Sequence, residues 1–425
     1  MGLTEVAGHY QQLKKGFDEV GVVCTYVNLK THAFQYGSDG DATGLARLIR
    51  LLESKWKSIT NKHVLLKYFF FGVILILRVM FFIYATAKYD IFLFGSNSSF
   101  FFFWDLPILR LLNKKIIYRF HGSDCRPPYL SGGVVLSVKE DRTRKLIEMS
   151  AKKKRTIKRI ESFADVIISH PLFSHYLERP FVSGANIGLP CSVAASDAKV
   201  RINERRPVDK RPVRVVHSPS NPVAKGTPII HQIVGDLIST GCPIELVEIR
   251  NQPNAVVRQE LARCDFVIDQ LYSDTPMAAF SGEAAVFSKP AVLGANGYDE
   301  FGTIYPRGRI PPSCHGHLSQ IRDLIAKLVN DEDYRRERGK AARQFIEENW
   351  TPEKVAARYV RIMEDDIPAD WWYDPSAIRY VFGSGMPKEK AKETVRSIIE
   401  KGGVAALQLS DKPELEKAFV DFAFS

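Results

Sequence analysis

Between residues 213 and 293 the chain alternates apolar runs and helical stretches with so little spare sequence that few folds can accommodate it. Strands are expected at 213–217, 244–249, 265–269 and 291–293, with helices at 228–239, 255–263 and 277–287 between them. Short apolar strands joined by helices of this length imply a parallel sheet covered on both faces. Ligands of such sheets bind outside the carboxyl ends of the strands. Lys225 and Gly226 follow the first strand, while Pro276, Met277 and Ala278 open the helix after the third. A lysine in that place reaches a phosphate as a point charge, and glycine lets the backbone come close. The first amides of a helix attract the same anion. Glu283 lies two turns into that helix, where a carboxylate needs donors: ribose hydroxyls, or a lysine or arginine.

The 425 residues leave room for two ordinary domains and an appendage. Upstream, helices are expected at 6–17, 44–56 and 142–163, and strands at 21–29, 90–95, 115–119 and 165–169. A doubly wound domain normally opens with a strand, yet this chain opens with a helix, so the first strand is missing or very short. A polar linker at 201–211, containing Pro207, separates this unit from the next. The domains are therefore drawn at 1–205 and 206–350, with a tail of 368–425 that carries two helical stretches and no evident role. Hydrophobic content of 45% and charged content of 25% are globular values and exclude a disordered chain.

A net charge of +11 points to an anionic partner, and its distribution selects which. Lys55, Lys57, Lys62 and Lys67 precede the very apolar run 68–87, which suits an anionic membrane surface. A second cluster, Lys152, Lys153, Lys154, Arg155, Lys158 and Arg159, reads as a solvated helix face. No zinc-finger or RNP signature is present, so nucleic acid is not expected as a partner. The apolar run nearly reaches the roughly 20 residues of a membrane span. Arg78 stands in its middle, where an arginine costs about 2.5–3.5 kcal/mol at the bilayer centre. Because a sheet strand follows at once, the expectation is a helix packed on the sheet with its outer face in the lipid interface. The aromatic stretch 100–104 (FFFFW) suits either headgroup-level insertion or core packing. Six scattered cysteines read as reduced thiols, and residues 1–5 form no leader, so a cytoplasmic protein peripheral to the inner face of the membrane is expected. Cys314, His315 and His317 are expected in a loop without metal-site spacing, and Asp39-Gly40-Asp41 as a turn.

Five stretches in this order, 118–124 (YRFHGSD), 217–221 (HSPSN), 225–227 (KGT), 264–270 (CDFVIDQ) and 283–290 (EAAVFSKP), resemble the retaining GT-B glycosyltransferases of family 4. The resemblance implies an α/β GT-B fold: two Rossmann-like domains facing a cleft, with a helical C-terminal extension. It further implies that residues 351–367 form a helix crossing back to the first domain. By position, Lys225 would neutralise a donor diphosphate, Glu283 would bind the ribose, and His121 would stand near the reacting sugar, making these three the catalytic set. Asp124 and Arg126 would lie in the cleft, with Ser220, Asn221, Gly226, Asp274, Thr275, Pro276, Met277 and Ala278 around the donor. Two positions depart from the pattern. Thr275, beside Asp274, stands where the family has a further glutamate, and the arginine usually paired with the lysine is absent from 219–224, leaving Arg250 or Arg307 as substitutes. The implied reaction moves a sugar, with retention, from a nucleotide-sugar substrate to a lipid-linked or polysaccharide acceptor, with no metal or cofactor required. The alternatives are a catalytically silent scaffold of the same fold and a nucleotide-sugar epimerase.

Overall fold

The computed structural model describes residues 3–29, 44–59, 63–138, 141–193, 211–306 and 308–425. The turn expected at 39–41, most of the 201–211 linker, Lys62 and Arg307 lie outside them. The first sheet runs through Ile91–Gly95 (β1), Lys115–Arg119 (β2), Val166–Ser169 (β3) and Phe181–Ser183 (β4), all parallel. The second comprises Val213–His217 (β5), Ile244–Glu248 (β6), Phe266–Ser273 (β7), Ala291–Ala295 (β8) and Cys314–Gly316 (β9), again parallel. Trp372–Tyr373 (β10), from the tail, returns to pair antiparallel with β4. Two parallel-sheet α/β units thus lie over a cleft, with a helical C-terminal part, the architecture that the resemblance implies.

The second sheet has the order β6-β5-β7-β8-β9, so the chain reverses its winding between β5 and β7. At such a switch point two loops diverge to opposite faces and leave a crevice at the carboxyl edge. β7 runs on to Ser273, beyond the expected end at 269, with register shifts at Ile268/Gln270 and Gln270/Ser273 that carry its end toward the crevice. Its helix, Ala279–Val286, starts two residues later than expected, because Ala278 keeps an extended backbone. Residues 314–316 are not the expected loop: they add a fifth strand to β8, and no metal-binding cluster occurs among the described residues.

The strand expected at 21–29 is not a strand. The segment has no regular secondary structure and forms no ladder with β1, although both line one cavity. It is fixed instead by side chains: Thr25 and Tyr89 share a hydroxyl hydrogen bond of 2.6 Å, and Tyr26 donates to Glu5 at 2.6 Å.

The apolar run forms the helix Val64–Lys88, which meets the core through Ile74, Phe81, Phe82 and Ala85. Its outer face is bare: Leu65 is 87% exposed, Phe69 66% and Ile76 62%. Arg78 turns from that face to the helix Gly44–Ser58, donating Nε to Glu53 at 3.1 Å and Nη1 to the Phe100 carbonyl at 3.0 Å. The mid-run charge is thus neutralised within the protein. The stretch 100–104 divides between core and surface. Phe100 packs among Phe81, Phe82, Phe92 and Phe94, whereas Phe102 and Trp104 are exposed. The second basic cluster is more than a solvated face. Lys153 donates to the Ser123 and Arg126 carbonyls, Lys154 pairs with Glu178 and Asp411, and Arg159 stacks on Trp104.

The tail is part of the first lobe's core: Val395, Ile398, Leu407, Leu415 and Phe419 join one apolar cluster with Tyr129, Leu130 and Leu146. Between its helices and β10 it bridges the lobes. Gly385 donates its amide to Tyr272 of the second lobe at 2.9 Å, and Ser384 donates its amide to Leu130 of the first at 3.0 Å. Gly383 and Gly385, at φ of 73° and 79°, allow this path. The helix Pro352–Met363 packs on His9–Glu19 of the first lobe, with Phe17 edge-on to Tyr359 at 6.2 Å. The approach is close enough that a Cβ on Gly16 would stand 2.0 Å from the Pro352 carbonyl oxygen. Gly16→Val therefore forces these helices apart, and denaturant unfolding should show a loss of at least about 1–3 kcal/mol, the range for overpacking.

Candidate functional site

A cavity of about 560 Å³ lies between the lobes, walled by the carboxyl ends of strands from both sheets. From the first lobe come Val6 and Ala7, then Arg119 to Gly122 after β2, and Ile168 to His170 after β3. From the second come Ser218 to Ser220 and Lys225 after β5, Asn251, Gln252 and Asn254 after β6, and Asp274, Thr275 and Met277 to Phe280 after β7. The β5 and β7 loops that flank the switch point thus meet in one space.

Lys225 ends a single helical turn, Pro222–Lys225, and donates Nζ to Asp269 on β7 at 2.8 Å. Asp269 is 1% exposed and also accepts from the Ser281 hydroxyl at 2.6 Å. Burial alone would push its carboxyl upward, but the Lys225 ammonium and the Ser281 donor outweigh it and hold it below the ordinary value. The ammonium is thereby anchored beside the amino-terminal end of Ala279–Val286, whose first amides have no partner inside the helix. Met277 and Ala278 line the cavity there. A cation and a positive helix end at one wall form an anion site.

Glu283 does not itself line the cavity. Its carboxylate accepts from the Asn254 side-chain amide at 3.0 and 3.2 Å, and Asn254 forms the wall in front of it. Lys225 therefore faces the crevice directly, whereas Glu283 bears on it only through an asparagine. Ser220 and Thr275 face the cavity, while three expected donor contacts, Asn221, Gly226 and Pro276, do not line it. Asn221 caps its helical turn by accepting from the Ala224 amide at 3.1 Å. Gly226 takes φ 77° at a turn packed on Leu271, and Pro276 does not reach the cavity wall. Asp274 lines the cavity but is bound by Arg126 across the lobes, and both side chains are 7% exposed. Burial lowers the Arg126 guanidinium to about 10.

His121 follows β2 and lines the cavity, its Nε2 3.4 Å from the Tyr10 hydroxyl. Burial, with Arg119 adding to it, pushes its imidazole down to about 3, so the ring is neutral at physiological pH. A neutral ring exchanges hydrogen bonds; it does not supply a cation. Asp124 is withdrawn from the cavity and accepts from the His121 amide at 3.1 Å and from Asn97 at 3.2 Å. It fixes the turn that carries His121, and burial raises its carboxyl to about 6.

Four features escaped the sequence. Glu5, 3% exposed, accepts from the amides of Val6, Tyr10 and Gln11 at 2.8, 3.1 and 3.1 Å, locking the Val6-Ala7 loop against the cavity. Arg119 lines the cavity while donating to Tyr359 at 2.9 Å and to the Gly188 carbonyl at 3.1 Å. His170 reaches Tyr305 of the second lobe at 3.0 Å. Asn254 screens Glu283 as described. Glu5 bonds to amides within six positions but no capping pattern marks it, and the other three depend on partners more than 25 positions away.

No protein-family model and no curated protein matches the chain. Among solved structures it is similar to HepE of Anabaena bound to UDP, at 13% identity, 68% of this chain, 82% of that one and a TM-score of 0.43. TarM is similar at 13% identity, 68% and 58% coverage and a TM-score of 0.39. The glycotransferase of kitacinnamycin is similar at 11% identity, 77% and 84% coverage and a TM-score of 0.37. Likenesses this distant carry no argument about substrate or reaction, so the site is read from its own residues.

The Lys225–Asp269 pair makes a separable prediction. Lys225→Ala leaves a buried carboxylate without its cation and should destabilise the protein by about 3 kcal/mol, the lower end for a broken buried pair since the lysine is partly exposed. Adding Asp269→Asn should restore much of that stability in thermal or urea unfolding, whereas additive losses would mean the pair is not coupled.

Proposed function

We infer that the protein is a glycosyltransferase that takes a sugar from a nucleoside-diphosphate donor and passes it to a lipid-linked or polysaccharide acceptor. One observation carries this reading: Lys225 and the amino-terminal end of Ala279–Val286 face the same interlobe cavity at the winding reversal of the second sheet. That wall suits a diphosphate. Nearby, Asn254 offers its side chain to ribose hydroxyls, and the Glu283 carboxylate behind it holds that side chain in place. The opposite wall, with neutral His121 and Arg119, is left for the sugar and acceptor.

In the proposed reaction the acceptor oxygen bonds to the anomeric carbon as the bond from that carbon to the diphosphate breaks. The acceptor proton passes to the departing phosphate oxygen, on the face that the leaving group vacates, so configuration is retained. The protein's contribution is electrostatic: Lys225 and the helix end stabilise negative charge as it accumulates on the diphosphate. His121, held neutral, accepts or donates a hydrogen bond to the sugar. No metal is assigned a role in these steps.

The acceptor assignment rests on the bare outer face of Val64–Lys88 and the exposed Phe102 and Trp104, which suit a membrane surface at the cytoplasmic side. One specific arrangement favours a second reading, a silent scaffold: Lys225 is engaged by Asp269, Arg126 by Asp274, and Thr275 lacks a carboxylate. Donor turnover separates the two.

Glu283→Ala should weaken nucleoside-diphosphate binding by about 1.5–3 kcal/mol, the range for hydrogen bonds to charged groups; unchanged affinity in calorimetry would remove Glu283 from the donor site. The purified protein should float with liposomes containing anionic lipid and lose much of that binding at high salt. Protein left at the bottom of the gradient would remove the membrane surface from the proposal.

A further inference from the structure

A second cavity, of about 390 Å³, lies in the first lobe between the 22–27 segment, β1 and the last turns of Val64–Lys88. Its interior is aromatic and aliphatic, with Phe17, Phe81, Ala85, Phe92, Phe94 and Phe100 on the walls. Its rim is polar. Lys88 Nζ donates to the Tyr84 hydroxyl at 2.9 Å and lies 5.4 and 5.5 Å from the Tyr84 and Tyr89 ring centres, with Thr25 bonded to Tyr89 beside them. The Asp90 carboxylate at the rim is engaged by Lys114 at 2.7 Å. Lys88 and Tyr84 are exposed, and outside the rim the same helix shows Ile76, Met80 and Ile83 to solvent.

We propose that this cavity holds one hydrocarbon chain of a membrane lipid whose anionic head rests on Lys88. The volume falls within the roughly 300–1,000 Å³ of small-molecule pockets. An apolar void of this size forfeits dispersion contacts that a chain would restore. Tyrosine and lysine at the rim present apolar bodies inward and polar tips outward, as groups at a lipid–water boundary do. The exposed face of Val64–Lys88 provides a continuous apolar path from the bilayer to the opening. The occupant is an anchor and not the sugar acceptor, because a wall separates the two cavities: Leu3 lines this one, Val6 and Ala7 line the cleft, and Glu5 is fixed between them by four hydrogen bonds. The source of the lipid rests on the membrane-surface reading, but the cavity itself does not.

The test uses full-length protein and single-chain probes below their micelle concentrations: n-decyl phosphate, decanol and inorganic phosphate. Native mass spectrometry should retain one decyl phosphate per chain, hold decanol about fivefold more weakly for want of an ion pair, and retain no inorganic phosphate. Lys88→Met, a change at an exposed position, should bring decyl phosphate down to the decanol level. Val22→Trp, at the cavity wall, should abolish retention of both while the melting temperature stays near that of wild type. Equal retention by Val22→Trp and wild type, or none by wild type, overturns the assignment. Protein that ignores liposomes yet retains decyl phosphate refutes the membrane reading and leaves the cavity assigned, whereas protein that floats without retaining the probe refutes only the cavity.

Discussion

One buried carboxylate organises the cleft. Asp269 sits on β7 next to the winding reversal, and at 1% exposure it has to be compensated where it stands. Lys225 and Ser281 compensate it from the two sides, one from the β5 loop and one from the helix after β7. That single set of bonds draws the two diverging loops together, fixes the ammonium, and aligns the start of Ala279–Val286 with it. The arrangement also limits the charge on offer, because part of the lysine's field is spent on Asp269. An incoming diphosphate would share the ammonium with Asp269 or draw it away, so donor binding and local stability are linked through one side chain.

The lobes are held to each other by more than the crossing helix. Arg126 and Asp274 pair across the cleft, His170 meets Tyr305, and the 383–386 loop of the tail bonds to Leu130 on one side and Tyr272 on the other. A hinge between two α/β units is the default expectation for a small interface. Here the tail buries its apolar helices in the first lobe while its glycine-rich loop clips the second, so it braces the cleft in addition to Pro352–Met363. The tail therefore acts as structural material for both lobes and not as an appended module.

Much of the fold could be read from the chain because parallel strands buried on both faces write continuous apolar runs: β2 and β5 and the helix Arg142–Phe163 fall where the pattern puts them. The pattern failed at 21–29, where valines at apolar spacing looked like a strand but no ladder forms with β1. There the apolar residues guaranteed neither burial nor pairing: Val27 is buried, but Val23 is 92% exposed. In the site, Lys225 was legible because strand order fixes which loops meet, and Asn221 followed by Pro222 carried a readable capping signal that points to a backbone role. The partners of the charges were not legible. Asp269 lies 44 positions from Lys225, Asn254 lies 29 from Glu283, and Asp274 lies 148 from Arg126, so only the closed sheets bring them together.

The central claim is that a diphosphate binds where the β5 and β7 loops meet. A crystal structure of the protein with a nucleoside-diphosphate sugar tests it most directly. The account requires phosphate oxygens within about 3 Å of Lys225 Nζ and of the amides at 277–278, the usual hydrogen-bond distance. A nucleotide bound elsewhere, with Lys225 and the start of Ala279–Val286 facing only solvent, would contradict it.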